Sequence, residues 1–146
     1  MLLDQIIKYW NAATRQITLF GGLTLNGPLN GATTISGTAL VGGLVNPVYG
    51  PVITCDCALG NAFIITITDG VAFAIAVPLH PTAGQWIRMQ FVNASGGAAG
   101  AGTFNAVFKM VSNTLAVIAN GSNRTVDFFY NGTNWIQVIY TADVPN

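Results

Sequence analysis

Hydrophobic and polar positions change rhythm twice along the chain. Over residues 1–15, Leu2, Leu3, Ile6, Ile7 and Trp10 fall on one side at helical spacing, and Ala13 continues that face. Asp4 near the start and Arg15 near the end suit a helix dipole. The pattern predicts a short N-terminal helix. A lone helix of this length is marginal in water, so its apolar side needs a partner surface, either on its own domain or on a neighbouring subunit.

Residues 16–50 lose that period. Apolar pieces of two or three residues alternate with Gly and Asn, and almost no charge interrupts them. A compact domain rarely carries a structureless loop this long. The stretch therefore reads as an extended arm laid across a neighbour, or as a shaft of very short strands. In a shaft, several chains would bury Leu23, Leu25, Leu29, Ile35 and Leu40 against one another. Asn46-Pro47 and Gly50-Pro51 mark a boundary.

From residue 51 to 146 the period shortens to two. Strands are expected over 52–57, 62–68, 71–77, 85–93, 103–108, 115–119, 125–130 and 133–140. Asp69-Gly70 and Asn131-Gly132 read as hairpin turns, Asn120-Gly121 as a further turn, and Ser95 to Gly102 as a flexible loop. In the last hairpin Val126, Phe128 and Tyr130 share one face, with Phe129 on the other. Short strands at this spacing predict an all-β domain, an antiparallel β-sandwich or jelly-roll knob. The expected organisation is an anchor helix (1–15), an arm or shaft (16–50) and a β-sandwich domain (51–146).

Composition narrows what such a domain does. Of 146 residues, 51% are hydrophobic and 7% charged, and the net charge is zero. A typical soluble domain is about 25% charged, and a neutral, apolar surface tends to associate. The apolar stretch 71–79 is far shorter than the roughly 20 residues a spanning helix needs. Abundant Ile, Val, Phe and Trp argue against disorder. No basic patch suggests nucleic acid. The N-terminus lacks the basic start of a signal peptide, so folding in a cytosol is expected. Four Asn-x-Ser/Thr sequons then read as turn chemistry rather than glycosylation. Burial inside a symmetric assembly is the remaining explanation.

Catalytic chemistry is thinly supplied: one His, no Glu, five scattered Asp. His80 sits between Pro78-Leu79 and Pro81, where a turn histidine is the simpler reading than a triad member. It is also the best candidate for a metal drawing one ligand from each of several chains. Ser95 lacks the preceding Gly of a nucleophile elbow. Asp69 and Asp127 are the conceivable carboxylate pair. Cys55 and Cys57 are two residues apart on one strand, a spacing that strains a disulfide and offers two ligands where structural zinc takes four. Gly96 to Thr103 lacks the Lys-Ser/Thr ending of a phosphate loop. Phe128, Phe129, Tyr130 and Trp135 read as core before sugar platform. No catalytic residue, metal or cofactor is expected.

Residues 52–140 carry an ordered pattern. Leu59-Gly60-Asn61 precedes a strand, and Pro81-Thr82-Ala83-Gly84-Gln85-Trp86-Ile87 follows. Then come the glycine-rich loop, Phe108-Lys109, the stretch Leu115 to Asn120, and Phe128 to Trp135 with Tyr-Asn-Gly-Thr-Asn-Trp. This pattern resembles a domain of bacteriophage tail-fibre, head-fibre and capsid-decoration proteins. The sequence departs from it at Cys55, Cys57 and the apolar run 72–76. The resemblance implies a β-sandwich knob that trimerises on a virion, with no catalytic residues. The expected role is a capsid decoration or cement protein, assembled in the host cytoplasm. Its expected partners are its own copies, as a trimer by the resemblance, and the major capsid protein or another virion protein, with no nucleic acid and no membrane. The alternative is a fibre knob that recognises a host glycan. Leu2, Leu3, Ile6, Ile7, Trp10, Leu23, Leu25, Leu29, Ile35 and Leu40 are the expected assembly contacts.

Overall fold

The computed structural model describes residues 9–11, 16–18 and 43–146. The chain divides into two compact units, Met1–Ala39 and Leu40–Asn146. In the first, β1 (Tyr9–Asn11) pairs antiparallel with β2 (Gln16–Thr18), with Trp10 opposite Ile17. The expected N-terminal helix is therefore not helical at residues 9–11; its other residues lie outside those described. The spacing that suits a helix face also fits a β-ribbon when the segment is this short.

The second unit is all-β: among the described residues no helix occurs. Its first six strands are β3 (Leu44–Val45), β4 (Val52–Ile53), β5 (Ala62–Ile67), β6 (Phe73–Ile75), β7 (Trp86–Asn93) and β8 (Gly102–Phe104). They alternate between two sheets. β3, β5 and β7 are parallel neighbours in one, and β4, β6 and β8 are parallel neighbours in the other. Each strand is thus followed by a crossing to the opposite sheet, and each pairs with the next but one. That is the winding of a short β-solenoid, in which each turn stacks on the one before.

The chain then closes the two sheets antiparallel. β10 (Thr114–Leu115) adds to β8, and β11 (Ser122–Tyr130) adds to β7. β12 (Trp135–Tyr140) pairs with β11 through the turn at Asn131-Gly132, where Gly132 has φ 96°. β9 (Phe108–Lys109) lies parallel to β12, and β13 (Val144–Pro145) pairs with β11. Val138 is the extra residue of a bulge: Phe128 faces Gln137 while Asp127 faces Ile139.

The antiparallel jelly roll expected from turn spacing is thus replaced by a mixed, solenoid-like stacking. The reason is visible at Asp69-Gly70, read as a hairpin. The Asp69 carboxylate accepts the Val71 N–H at 2.9 Å and the Tyr49 hydroxyl at 2.8 Å. Those bonds tie the corner to the preceding coil turn, and the chain leaves for the other sheet instead of folding back. The segment 103–108, expected as one strand, likewise divides between the sheets as β8 and β9.

One core joins both layers. Phe63, Ile65, Ile67, Ile87, Met89, Phe91, Val126 and Phe128 face Ile53, Phe73, Ile75, Phe104 and Leu115. Aromatic rings bridge them: Phe73 to Phe91 at 6.2 Å, Phe91 to Phe104 at 5.9 Å, and Phe104 to Phe128 at 5.7 Å. Each fully buried Phe or Ile contributes roughly 1.5–3 kcal/mol relative to exposure. The glycine-rich loop expected to be flexible is tied down at its root. Buried Asn93 donates to the carbonyls of Gly97 and Ile118, both at 2.8 Å, and accepts from Ser95 N–H and Oγ.

Candidate functional site

The outer face of the larger sheet carries a half-exposed tryptophan. In β7 the inward set is Ile87, Met89, Phe91 and Asn93, so Trp86, Arg88, Gln90 and Val92 point outward. Trp86 is 54% exposed. Its ring packs against Phe129 of β11 at 5.3 Å between centroids, which holds the indole from one side. On the other side lies Gly60, in the turn before β5, which offers no side chain. A hollow of about 550 Å³ opens there, lined by Gly43, Ala58, Gly60, Asn61 and the indole.

Gly43 and Gly60 sit in backbone contact, so a Cβ at residue 60 would run into the Gly43 carbonyl. That carbonyl accepts the N–H groups of both Asn61 and Ala62 at 3.2 Å. Past Asn61 and Trp86 a second hollow of about 270 Å³ reaches Arg88 and Asp127. Arg88 holds Asp127 with two parallel bonds, Nε to Oδ1 at 2.8 Å and Nη2 to Oδ2 at 2.7 Å. Bonding to that carboxylate, and then its charge, pushes the Arg88 pKa up. Asp127 lies beneath with its side chain 11% exposed. The pair is neutral as a unit and planar.

A second polar cluster surrounds the crossing from β6 to β7. His80 has φ 48°, a left-handed conformation that costs a non-glycine residue of order 1 kcal/mol. Its Nδ1 lies 2.8 Å from Asp56 Oδ1, which also accepts the Ala58 N–H at 3.0 Å. The His80 contact, and then the Ala58 N–H, hold the Asp56 carboxyl below the usual carboxylate range. Among the described residues no hydroxyl or thiol bonds to the ring. The imidazole acts as a brace between the bridge Asp56–Leu79 and the turn that follows.

Cys55 and Cys57 both point into the core and are unbridged. Burial, and secondarily the charge of Cys57, pushes the Cys55 thiol up to about 12. Burial, and secondarily Asp56, pushes Cys57 up to about 11. Neither is a nucleophile near neutral pH. Asp69 and Asp127 stand at opposite ends of β5: Asp127 is level with Ala62 through Arg88, and Asp69 lies beyond Ile67. They cannot flank one bond. Ser95 spends its hydroxyl on Asn93 and Gly97.

Phe128 and Trp135 are core, as the alternation suggested, and Tyr130 packs against that core. Phe129 alone of that group reaches the outer face, behind Trp86. Of the expected assembly contacts, Trp10 lies in β1; Leu2, Leu3, Ile6, Ile7, Leu23, Leu25, Leu29, Ile35 and Leu40 lie outside the described residues. The Trp86 ledge was not singled out in the sequence. Its signal was available: in a strand whose apolar set is Ile87, Met89 and Phe91, a tryptophan in phase with Arg88 and Gln90 must face out. No protein-family model and no curated protein matches the chain.

Proposed function

We propose that this chain is a non-enzymatic structural subunit of a bacteriophage virion, a decoration or cement protein that binds the assembled head as a homo-oligomer. The observation that carries the reading is the near absence of free charge on a folded surface. On the outer face of the larger sheet Arg88 and Asp127 cancel, and Lys109 of β9 is exposed without an ion-pair partner among the described residues. On the smaller sheet the outward row Val52, Ala74, Thr103 and Thr114 is uncharged. Asp143 pairs with Arg124, and Asp56 with His80. Among the described residues, Asp69 and Lys109 have no ion-pair partner, and Asp56 has one only with a protonated His80 ring.

Exposed Leu44, Val48, Val52 and Val111 add apolar area that water does not favour. A subunit that binds only the assembled lattice stabilises it by mass action. The resemblance of residues 52–140 to phage decoration and fibre domains supplies the kind of assembly. A fibre knob is the second reading, favoured by the stacked turns of β3 to β8, which repeat along one axis as a projecting element requires.

Cryo-electron microscopy of the native particle separates these. Density repeated over the head lattice is the expected result. Density confined to a tail or a sparse spike replaces decoration with the fibre role, and absence from the particle overturns both.

A further inference from the structure

We infer that the Trp86 ledge is a binding site for a neutral saccharide. It deepens the fibre-knob reading, whose ligand is a host glycan, and rests on four features of the ledge. The indole is held by Phe129 and open on its other side. An apolar ring face of this kind takes the C–H face of a pyranose, which is apolar while its rim is hydroxylated. Beside it lies a shallow hollow lined by Gly60 and Asn61, where a ring can lie against the indole.

The remaining two features are polar. The Asn61 carboxamide makes no hydrogen bond among the described residues, and it stands where the two hollows meet. An amide offers donors and an acceptor side by side, which matches a pair of neighbouring hydroxyls. Beyond it, Arg88 uses Nε and Nη2 on Asp127, leaving Nη1 toward the surface without a partner among the described residues. The guanidinium charge is already matched by the carboxylate beneath. A uronate or sialate would have to compete with Asp127 for Arg88, whereas a neutral hydroxyl needs no such exchange. Two adjoining hollows fit at least two linked sugar units.

The test is titration of the full chain with neutral oligosaccharides (glucans, galactans, N-acetylglucosamine oligomers) and with uronate- and sialate-bearing ones. The indole N–H resonance of Trp86 and isothermal calorimetry give the readout. A shallow site should bind a neutral oligomer with Kd on the order of 0.1–1 mM. Trp86→Ala should weaken this by about tenfold or more, Trp86→Phe by less, and Asn61→Ala by about threefold to tenfold. Both positions are exposed, and an unchanged circular dichroism spectrum and melting curve establish that the fold survives. Absence of binding up to tens of millimolar overturns the inference, as does binding of acidic sugars alone. Sedimentation adds a further arm: an oligomer that Trp86→Ala dissociates, with no saccharide response, makes the ledge a subunit contact and overturns the inference too. None of these outcomes bears on where the chain sits in a particle, which microscopy decides.

Discussion

The ring of Phe73 occupies the space that a side chain on Gly102 would need. The two residues are partners in the parallel pair β6–β8, and a Cβ on Gly102 would lie 2.8 Å from Phe73 Cζ and 3.1 Å from Leu115 Cβ. Phe73 in turn stacks on Phe91 across the core and takes the edge of Tyr49. The glycine is a packing requirement of the coil. Gly102→Ala should destabilise by roughly 1–3 kcal/mol through overpacking. Urea denaturation checks this, and the double variant Gly102→Ala with Phe73→Leu should recover part of the loss relative to the sum of the singles. Strict additivity would show that the clash is relieved elsewhere.

Arg124 is a buried cation held by the end of the chain. It donates to the Ala116 carbonyl at 2.9 Å and to the Tyr140 hydroxyl at 3.0 Å, and it pairs with Asp143. Its guanidinium also lies 5.3 Å from the Tyr140 ring centroid. Removing one partner of such a pair strands the other charge. Asp143→Ala should cost about 2 kcal/mol, below the range for fully buried pairs because Asp143 keeps 28% side-chain exposure. It should also expose the β13 segment to limited proteolysis. A melting curve and digestion pattern like those of the native chain would refute the latch.

The contact between Gly43 and Gly60 gives a local prediction. Because the Gly43 carbonyl takes two N–H groups, Gly60→Ala should lift β3 away from β5 rather than unfold the domain. Amide hydrogen exchange at Asn61 and Ala62 should then accelerate while that at Met89 and Val126, in the sheet centre, stays slow. Uniform acceleration across the sheet would mean that the first coil turn is integral to global stability.

Much of the strand content was legible in the sequence, and most of the pairing was not. The Val126, Phe128 and Tyr130 face is read correctly because alternation is local, and Asn131-Gly132 makes its hairpin because the flanking strands are both long enough to pair. Asp69-Gly70 has the same turn chemistry and does otherwise, since Tyr49, twenty residues away, takes hold of the Asp69 carboxylate. Sheet membership of β4, β6 and β8 depends on such distant contacts, which no window of residues contains. Trp86 illustrates the converse: its outward direction follows from strand phase, but the hollow beside it is lined by Gly43 and Gly60, brought together from segments seventeen residues apart.

The buried thiols set a pH limit on stability. Cys55 rises from its ordinary 9.0 to about 12 and Cys57 from 9.0 to about 11, so the folded chain holds both protons more tightly than the unfolded one. A raised pKa contributes stability that is fully present below the unfolded value and is lost as pH climbs through the folded value. Loss should therefore begin near pH 9 and approach about 1.4 kcal/mol per pH unit for each thiol. Tyr49, raised from 10.0 to about 12 by burial and by Asp69, joins only above pH 10. Between pH 9 and 10 the thiols give the larger part of the loss among the groups with raised values. Urea denaturation across that interval should show a falling free energy for the native chain and a flatter profile for Cys55→Val with Cys57→Val. Equal slopes for the two would mean that the protons come off elsewhere. Below pH 8 the thiols should resist a disulfide reagent until urea opens the core.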